Sequence, residues 1–544
     1  MIKTMGKIRY GVLLFICFYT FLRPGAPVEE TSRTVETLFL RMIHLALQRF
    51  EPAHDLPFLE KALYFCEIKS AWLYWSKTRR APAKSSCPSD RCPDETVLIR
   101  LLGRYVLALR ERQGDRVFRE LDEQLVRLSR RCLGSDGDAE RTAAALPPRM
   151  KDLNLRAIQR TLPPSGMIIR YILLPERIVS VVISDRAVET IELPVDTSRT
   201  VKLINRLTEP LDDFSRGRVD YLRIHFDLGL AHQLYDILLQ NVLVHYPAKT
   251  DIYLVPDKEL FKLPFEALVV GFNKNKLRPD VLFSEYESAD YLIHSRSVSY
   301  YLSLSDFQKR FAPPRAFKWE LSAFGNPVVP AGDKRNGNSS SGPNDLRIGE
   351  ISSTEVEILA LQKFFPPGAI QIFLNDQCNE RNFEAIAPDS RLIHIATHFF
   401  CDAEEPFDSA FLFSSGNREI PFYHTRRIFR LRLRAELVIL SACETSESRL
   451  LEMKMIKGVT AAFRHSGIRS LMVSLWPVDE YNSQIIPIFY EEFLRNGDPS
   501  QALRLSKIAL IKKIIPLKEG IRLSFAHPFL WANYVLYRFF QPPS

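Results

Sequence analysis

Three things are scarce in these 544 residues, and each scarcity removes a class of protein. Long apolar runs come first. The run from Val12 to Leu22 falls well short of the roughly 20 apolar residues that a spanning helix needs. Ordered cysteine spacing is missing as well. The eight cysteines are irregularly placed, which suggests neither a disulfide framework nor a metal site. Cys87 and Cys92 bracket Pro-Ser-Asp-Arg, but no second Cys/His pair lies nearby at zinc-ligand spacing. Such usage suits a reducing compartment better than an oxidising one. Strong charge is the third absence. The formal net charge of +9 is modest for the length and condenses in the arginines of Arg426 to Arg434. No aromatic stacking platform accompanies them, so nucleic acid is not an expected partner. The run reads as a solvated helix-and-turn surface, with a phosphate-binding or acidic-partner patch as the alternative.

With 46% hydrophobic and 25% charged residues, the composition is that of a folded globular chain rather than a disordered or fibrous one. The length calls for two or three domains. At the N-terminus, Lys3, Lys7 and Arg9 precede the apolar run, the pattern of a secretory or anchoring segment over residues 1–30. Residues 10–22 would then anchor the protein to a membrane or lead to its export; a cytoplasmic protein with a misplaced start is the alternative. From 31 to 150 the spacing is helical. Leu38, Met42, Leu45, Ala46 and Phe50 form one face, continued by Leu59, Ala62, Leu63 and Cys66, and residues 96–131 follow the same period. These helices resemble a degenerate tetratricopeptide pair without a clean repeat; a plain helical hairpin is the alternative.

The character changes after residue 150. Residues 166–171, 178–184 and 190–194 read as a small β-meander within a β-rich lead-in, 151–215. Over 216–544, strand-like and helix-like segments alternate. Strands are expected at 251–255, 319–324, 369–374 and 470–476, and helices at 203–214, 229–239, 355–365 and 451–466. Alternation of this kind predicts an α/β sheet flanked by helices.

Within that sheet one stretch, Arg391 to Thr445, stands out. Leu392-Ile393-His394-Ile395-Ala396-Thr397-His398 and Leu437-Val438-Ile439-Leu440-Ser441-Ala442-Cys443-Glu444-Thr445 are buried-strand patterns, each ending in a reactive side chain. In a parallel sheet, functional groups gather beyond the carboxyl ends of the strands. His398 and Cys443 would meet there as base and nucleophile, since cysteine reacts as thiolate and needs a proton acceptor beside it. The competing interpretation is a satisfied polar residue at a strand end and a small buried hydrophobe. Ser441, Glu444 and Thr445 are equally accounted for as polar residues opening a loop and helix.

The second of these runs resembles the signature of the CHAT family, caspase-like domains often found behind tetratricopeptide repeats. The similarity covers most of the C-terminal two thirds. Ile393 to His398 resembles the family's histidine strand and Ser470 to Asp479 its third strand. Val255-Pro256-Asp257, Leu263 to Leu268, Ser299-Tyr300, Phe324 to Pro327 and His527 to Ala532 follow in the expected order. The resemblance implies a caspase-hemoglobinase-like α/β fold preceded by a helical region, and a cysteine peptidase with His398 as base and Cys443 as nucleophile. It implies no cofactor and no metal, a protein or peptide substrate, and a protein partner engaged by the N-terminal helices. Relatives cleave after a charged residue, and Asp479 occupies the position of a pocket carboxylate that would receive a basic side chain; helix N-capping is its alternative role. Glu444 and the backbone at position 399 are the other pocket or oxyanion candidates. Two departures stand out. Phe399 replaces the glycine that follows the family's histidine, where the backbone N–H is expected to hold an oxyanion. Ser446 to Arg449 replaces a glycine-rich turn. An interaction module with impaired catalysis is the rival expectation.

Overall fold

The computed structural model describes residues 28–50, 56–78, 101–102, 104, 120–121, 123–124 and 153–542. Within the last stretch it leaves out 194, 216–222, 274–276, 313–315, 329–350, 401–407, 415–421, 442, 445–452, 477, 479–480, 518–519 and 541. The chain divides into two compact units, Met1–Asn154 and Leu155–Ser544.

In the first unit, helices α1 (Val28–Phe50) and α2 (Leu56–Thr78) pack on each other. The buried face of α1 is Val35, Phe39, Met42, Ile43, Ala46 and Leu47. It is rotated from the expected face, leaving Leu38 and Leu45 only half-buried. The reason is the choice of phase: both sets satisfy a 3.6-residue period, and Phe39 and Ile43 carry more apolar surface to bury. Leu59, Ala62, Leu63 and Cys66 of α2 are buried as expected. The apolar run at 10–22, the Cys87–Cys92 pair and most of the expected 96–131 helix lie outside the described residues. Among the described residues, no helix is long and apolar enough to cross a membrane.

The second unit is built on an eleven-stranded sheet. In chain order its strands are β1 (Gly166–Leu173), β2 (Ile178–Ser184), β3 (Val188–Leu193), β4 (Asp251–Val255), β5 (Ser297–Tyr300) and β6 (Trp319–Gly325). They are followed by β7 (Ile370–Leu374), β8 (Ser390–Ala396), β9 (Leu437–Leu440), β10 (Ser470–Ser474) and β11 (Tyr534–Arg538). The spatial order is β7-β6-β8-β9-β10-β11-β5-β4-β1-β2-β3. The first five are mutually parallel, and β11 runs against β10. Strands β5, β4 and β1 then run parallel to β11, and the β1-β2-β3 meander closes the far edge in antiparallel fashion. The carboxyl ends of the histidine and cysteine strands therefore point the opposite way along the strand axis from those of β4 and β5.

Near the centre of the sheet, β9 is aliphatic on both faces. Every residue of β9 and β10 is buried, as expected for strands covered by helices on either side. Helix Pro499–Ile511 packs on β5 and β11, helix Ser352–Ala360 on β6, and helix Met453–His465 on β10. Local chemistry sets several ends. Asp498 caps helix 499–511 by accepting from the Ser500 N–H, with Pro499 in the first turn. The preceding helix, Ile485–Asn496, stops at Gly497 in the left-handed region (φ 74°).

The seam between the two halves is narrow: Tyr537 of β11 pairs with Tyr300 of β5 at a single position. Beside it lies a fully buried ion pair, Lys507 Nζ to Glu266 Oε1 at 3.1 Å. The Tyr300 hydroxyl donates to the other Glu266 oxygen at 2.5 Å and accepts from the Phe265 N–H at 3.1 Å. Desolvation lowers the Lys507 pKa, and Glu266 counteracts it. The Leu263–Leu268 motif thus contributes an acid that ties helix 499–511 to β5.

Candidate functional site

The histidine and cysteine runs are each interrupted where a single strand was expected. Strand β8 ends at Ala396 and β9 at Leu440. Thr397 turns the chain, its hydroxyl donating to the Leu412 carbonyl at 2.5 Å. The residues beyond join a second, four-stranded sheet in the order 422–424, 410–412, 398–400, 443–444. In it, His398–Phe400 runs antiparallel to Ala410–Leu412 and parallel to Cys443–Glu444. The register sets His398 opposite Cys443 and Phe399 opposite Glu444. At the usual strand separation of about 4.8 Å, the two candidate catalytic positions are backbone neighbours. His398 is buried, with 3% of its surface exposed.

Phe399 is also buried, and its ring packs on Phe411 of the neighbouring strand with centroids 4.8 Å apart. Successive residues of a strand face opposite ways, so this ring belongs to the side away from His398. Phe411 in turn meets Phe463 of helix 453–465, edge to face at 6.3 Å. The small sheet rests on an aromatic layer, and Phe399 is one of its members. Asp479 lies outside the described residues, as do Ser446 to Arg449 of the expected glycine-rich turn.

Beneath the His398–Cys443 ladder is a buried polar network that sequence reasoning missed. His394, in the middle of β8, is completely buried. Its Nε2 is 2.7 Å from Glu357 Oε1, and its Nδ1 is 3.2 Å from the Tyr490 hydroxyl. The Ser441 hydroxyl donates to the second Glu357 oxygen at 3.1 Å and lies 2.8 Å from the Tyr534 hydroxyl. An ionised carboxylate only accepts, so Nε2 donates to Glu357, while Nδ1 shares its hydrogen bond with the Tyr490 hydroxyl. Burial, then Glu357, pushes the Tyr490 phenol well above its ordinary range, keeping it neutral. The clue in the sequence was His394 itself: an imidazole inside Leu-Ile-His-Ile-Ala must find partners if the strand is buried. Nothing local identifies those partners. Glu357 arrives on helix 352–360, Tyr490 on helix 485–496 and Tyr534 at the start of β11.

Helix 352–360 reaches this depth because Gly325 ends β6. A Cβ there would press into Ile358 and come within 3.1 Å of the Ala396 carbonyl oxygen. The following Asn326 has its N–H on Thr354 Oγ1 at 3.0 Å and its side-chain amide on Glu355 at 2.9 Å. The Phe324–Pro327 motif is thus where that helix is held.

In the arginine run, Arg426 pairs with Asp408 at 2.8 Å. Arg427 pairs with Glu380 and Glu384 and lies over the Tyr423 ring. Arg430, Arg432 and Arg434 are exposed, while Ile428, Phe429 and Leu433 between them are buried. Cys66 and Cys378 are buried, the latter with its thiol pKa raised by desolvation. Among the described residues, no cluster of His, Cys, Asp and Glu side chains is arranged to hold a metal ion.

Comparison with known proteins adds one assignment and one likeness. No curated protein matches the chain. The crystal structure of the Saccharomyces cerevisiae separase–securin complex contains a chain that superposes with a TM-score of 0.38 at 12% identity. The alignment covers 88% of this chain and 41% of that one, so this chain spans about two fifths of its length. The family model for the CHAT domain matches residues 228–538. That span includes strands β4 to β11, the small sheet with its His398–Cys443 pairing, and helix 352–360. With more than half of its 544 residues accounted for in this way, the chain belongs to the CHAT domain family.

Proposed function

We propose that this protein is a CHAT-domain cysteine peptidase that hydrolyses peptide bonds with His398 and Cys443. The observation supporting this reading is their pairing at directly opposed positions of a ladder beyond the carboxyl ends of two adjacent parallel strands. In the reaction, His398 takes the Cys443 thiol proton and the thiolate attacks the scissile carbonyl. The tetrahedral intermediate collapses as His398 returns the proton to the leaving amine, leaving a thioester. Water, deprotonated by His398, then releases the acid and the thiol. Glu444 and the backbone at 399 line the start of the cleft, and Asp479 selects a basic side chain at the cleaved position. The helices of residues 31–150 engage a protein partner that regulates access to the cleft. The lead-in at 151–215 belongs with the peptidase unit, because its three strands extend the same sheet.

The test is labelling of the full chain and Cys443→Ala by peptide electrophiles carrying Arg, Lys or Asp at the cleaved position. Selective labelling that disappears in the variant is the expected result. Absent or unchanged labelling across the panel sinks the peptidase reading.

A second reading has one observation behind it: Phe399 stands where the family has glycine. On that reading the domain keeps the fold as an interaction or signalling module with impaired catalysis. The packing of the Phe399 ring on Phe411 speaks against a plugged cleft.

A further inference from the structure

We propose that Glu357 is a positioning residue for the His398–Cys443 pair, with His394 and Ser441 as its anchors; this rests on the dyad reading above. The ladder that opposes His398 to Cys443 is two residues long on each strand. A pairing so short has little stability of its own. The parallel pairing of β8 with β9 fixes their register just upstream, and one buried carboxylate adds a side-chain tie across the same two strand ends. Its Oε1 holds His394, four residues before His398, and its Oε2 holds Ser441, two residues before Cys443. The Ser441 N–H also donates to the Ile395 carbonyl at 2.9 Å, so the strands are tied by main chain and side chain at the same level.

Each side-chain contact is a hydrogen bond to a charged group, the stronger kind, and each would leave a buried polar atom behind if broken. The lever arms are short, two and four residues along the sequence, so a shift at the clamp passes to the pair with little loss. A misplacement of about 1 Å in a reacting pair costs on the order of a hundredfold in rate. Tyr490 and Tyr534 complete the cage from two further elements, their hydroxyls 3.2 Å from His394 Nδ1 and 2.8 Å from Ser441 Oγ. Glu357 touches no reacting atom. It acts through the strands it joins.

The experiment measures alkylation of Cys443 by iodoacetamide on the full chain, from about pH 5 to about pH 9, a range spanning the ordinary imidazole and thiol pKa values. Modification is quantified on the Cys443 peptide by mass spectrometry. The wild type is expected to show a reactive limb below neutrality that His398→Ala removes. Glu357→Ala and Ser441→Ala are expected to lose that limb, with rates at neutral pH down by about ten- to a hundredfold. Glu357→Gln, which keeps the shape and one acceptor, should restore part of the rate. If Glu357→Ala fails to fold, Glu357→Gln and Ser441→Ala each still remove part of the clamp and carry the comparison. Variants that melt at lower temperature yet retain the wild-type pH profile would overturn the positioning role and leave the dyad standing. A wild-type profile identical to that of His398→Ala would overturn the dyad, and the positioning role with it.

Discussion

Acidification should destabilise this protein through His527, and the size of the effect follows from its surroundings. The imidazole is fully buried between Phe283 and Tyr286, whose ring centroids are 4.4 and 4.3 Å away. Its Nδ1 accepts from the Phe529 N–H at 3.0 Å, so its proton sits on Nε2 and donates to the Ile224 carbonyl, also at 3.0 Å. Both nitrogens are satisfied by the neutral ring, and desolvation pushes the pKa down to about 3. Unfolded, the same histidine titrates near 6.5. Between those values the unfolded chain binds the extra proton, so stability falls as pH drops below about 6.5 and levels off only below about 3. At pH 5 the loss from this residue alone is about 2 kcal/mol relative to pH 7.5. Urea unfolding of wild type and His527→Gln at both pH values isolates it. The variant is less stable at neutral pH, where it lacks the two fitted hydrogen bonds, but the gap should shrink by about 2 kcal/mol at pH 5. A gap that stays constant with pH would refute the neutral, buried assignment.

The remaining expectations concern the seam and the approach to the site. Replacing only Glu266 by Gln or only Lys507 by Met strands a buried charge and should cost about 3–5 kcal/mol, while Glu266→Leu with Lys507→Met should recover most of it. For a unit running from Leu155 to Ser544, the single changes should lower the melting temperature by about 4–6 °C in calorimetry; additive losses in the double variant would argue against a coupled pair. Phe399→Gly should cost about 3–5 kcal/mol by opening the aromatic layer. It should also leave electrophile labelling no faster than in wild type, whereas a gain in labelling would place a block at that ring. Gly325→Ala, by crowding Ile358 and the Ala396 carbonyl, should cost about 1–3 kcal/mol in urea unfolding and slow Cys443 alkylation through the displaced helix. Asp479→Asn should abolish labelling by Arg and Lys electrophiles while sparing any Asp-directed labelling; unchanged preference would remove Asp479 from the pocket.

The sequence alone determined the elements whose signals are local. Aliphatic runs such as Leu437–Leu440 and Ser470–Ser474 are strands because a central parallel strand is apolar on both faces, and that pattern is visible without any partner. The succession of helix and strand determined the α/β class for the same reason. Only the tertiary structure decided where the strands stop. Thr397 breaks what reads as one continuous run, because its hydroxyl finds the Leu412 carbonyl across the chain. The handover to a second sheet, the opposition of His398 to Cys443, and the orientation of the Phe399 ring all follow from pairings between distant segments. The phase of α1 was likewise decided by packing on α2 rather than by periodicity. Glu357 is the clearest case. In the sequence it is one acid on an amphipathic helix. It becomes a bridge between the two functional strands because Gly325 lets that helix approach, and a buried imidazole and hydroxyl must be given an acceptor.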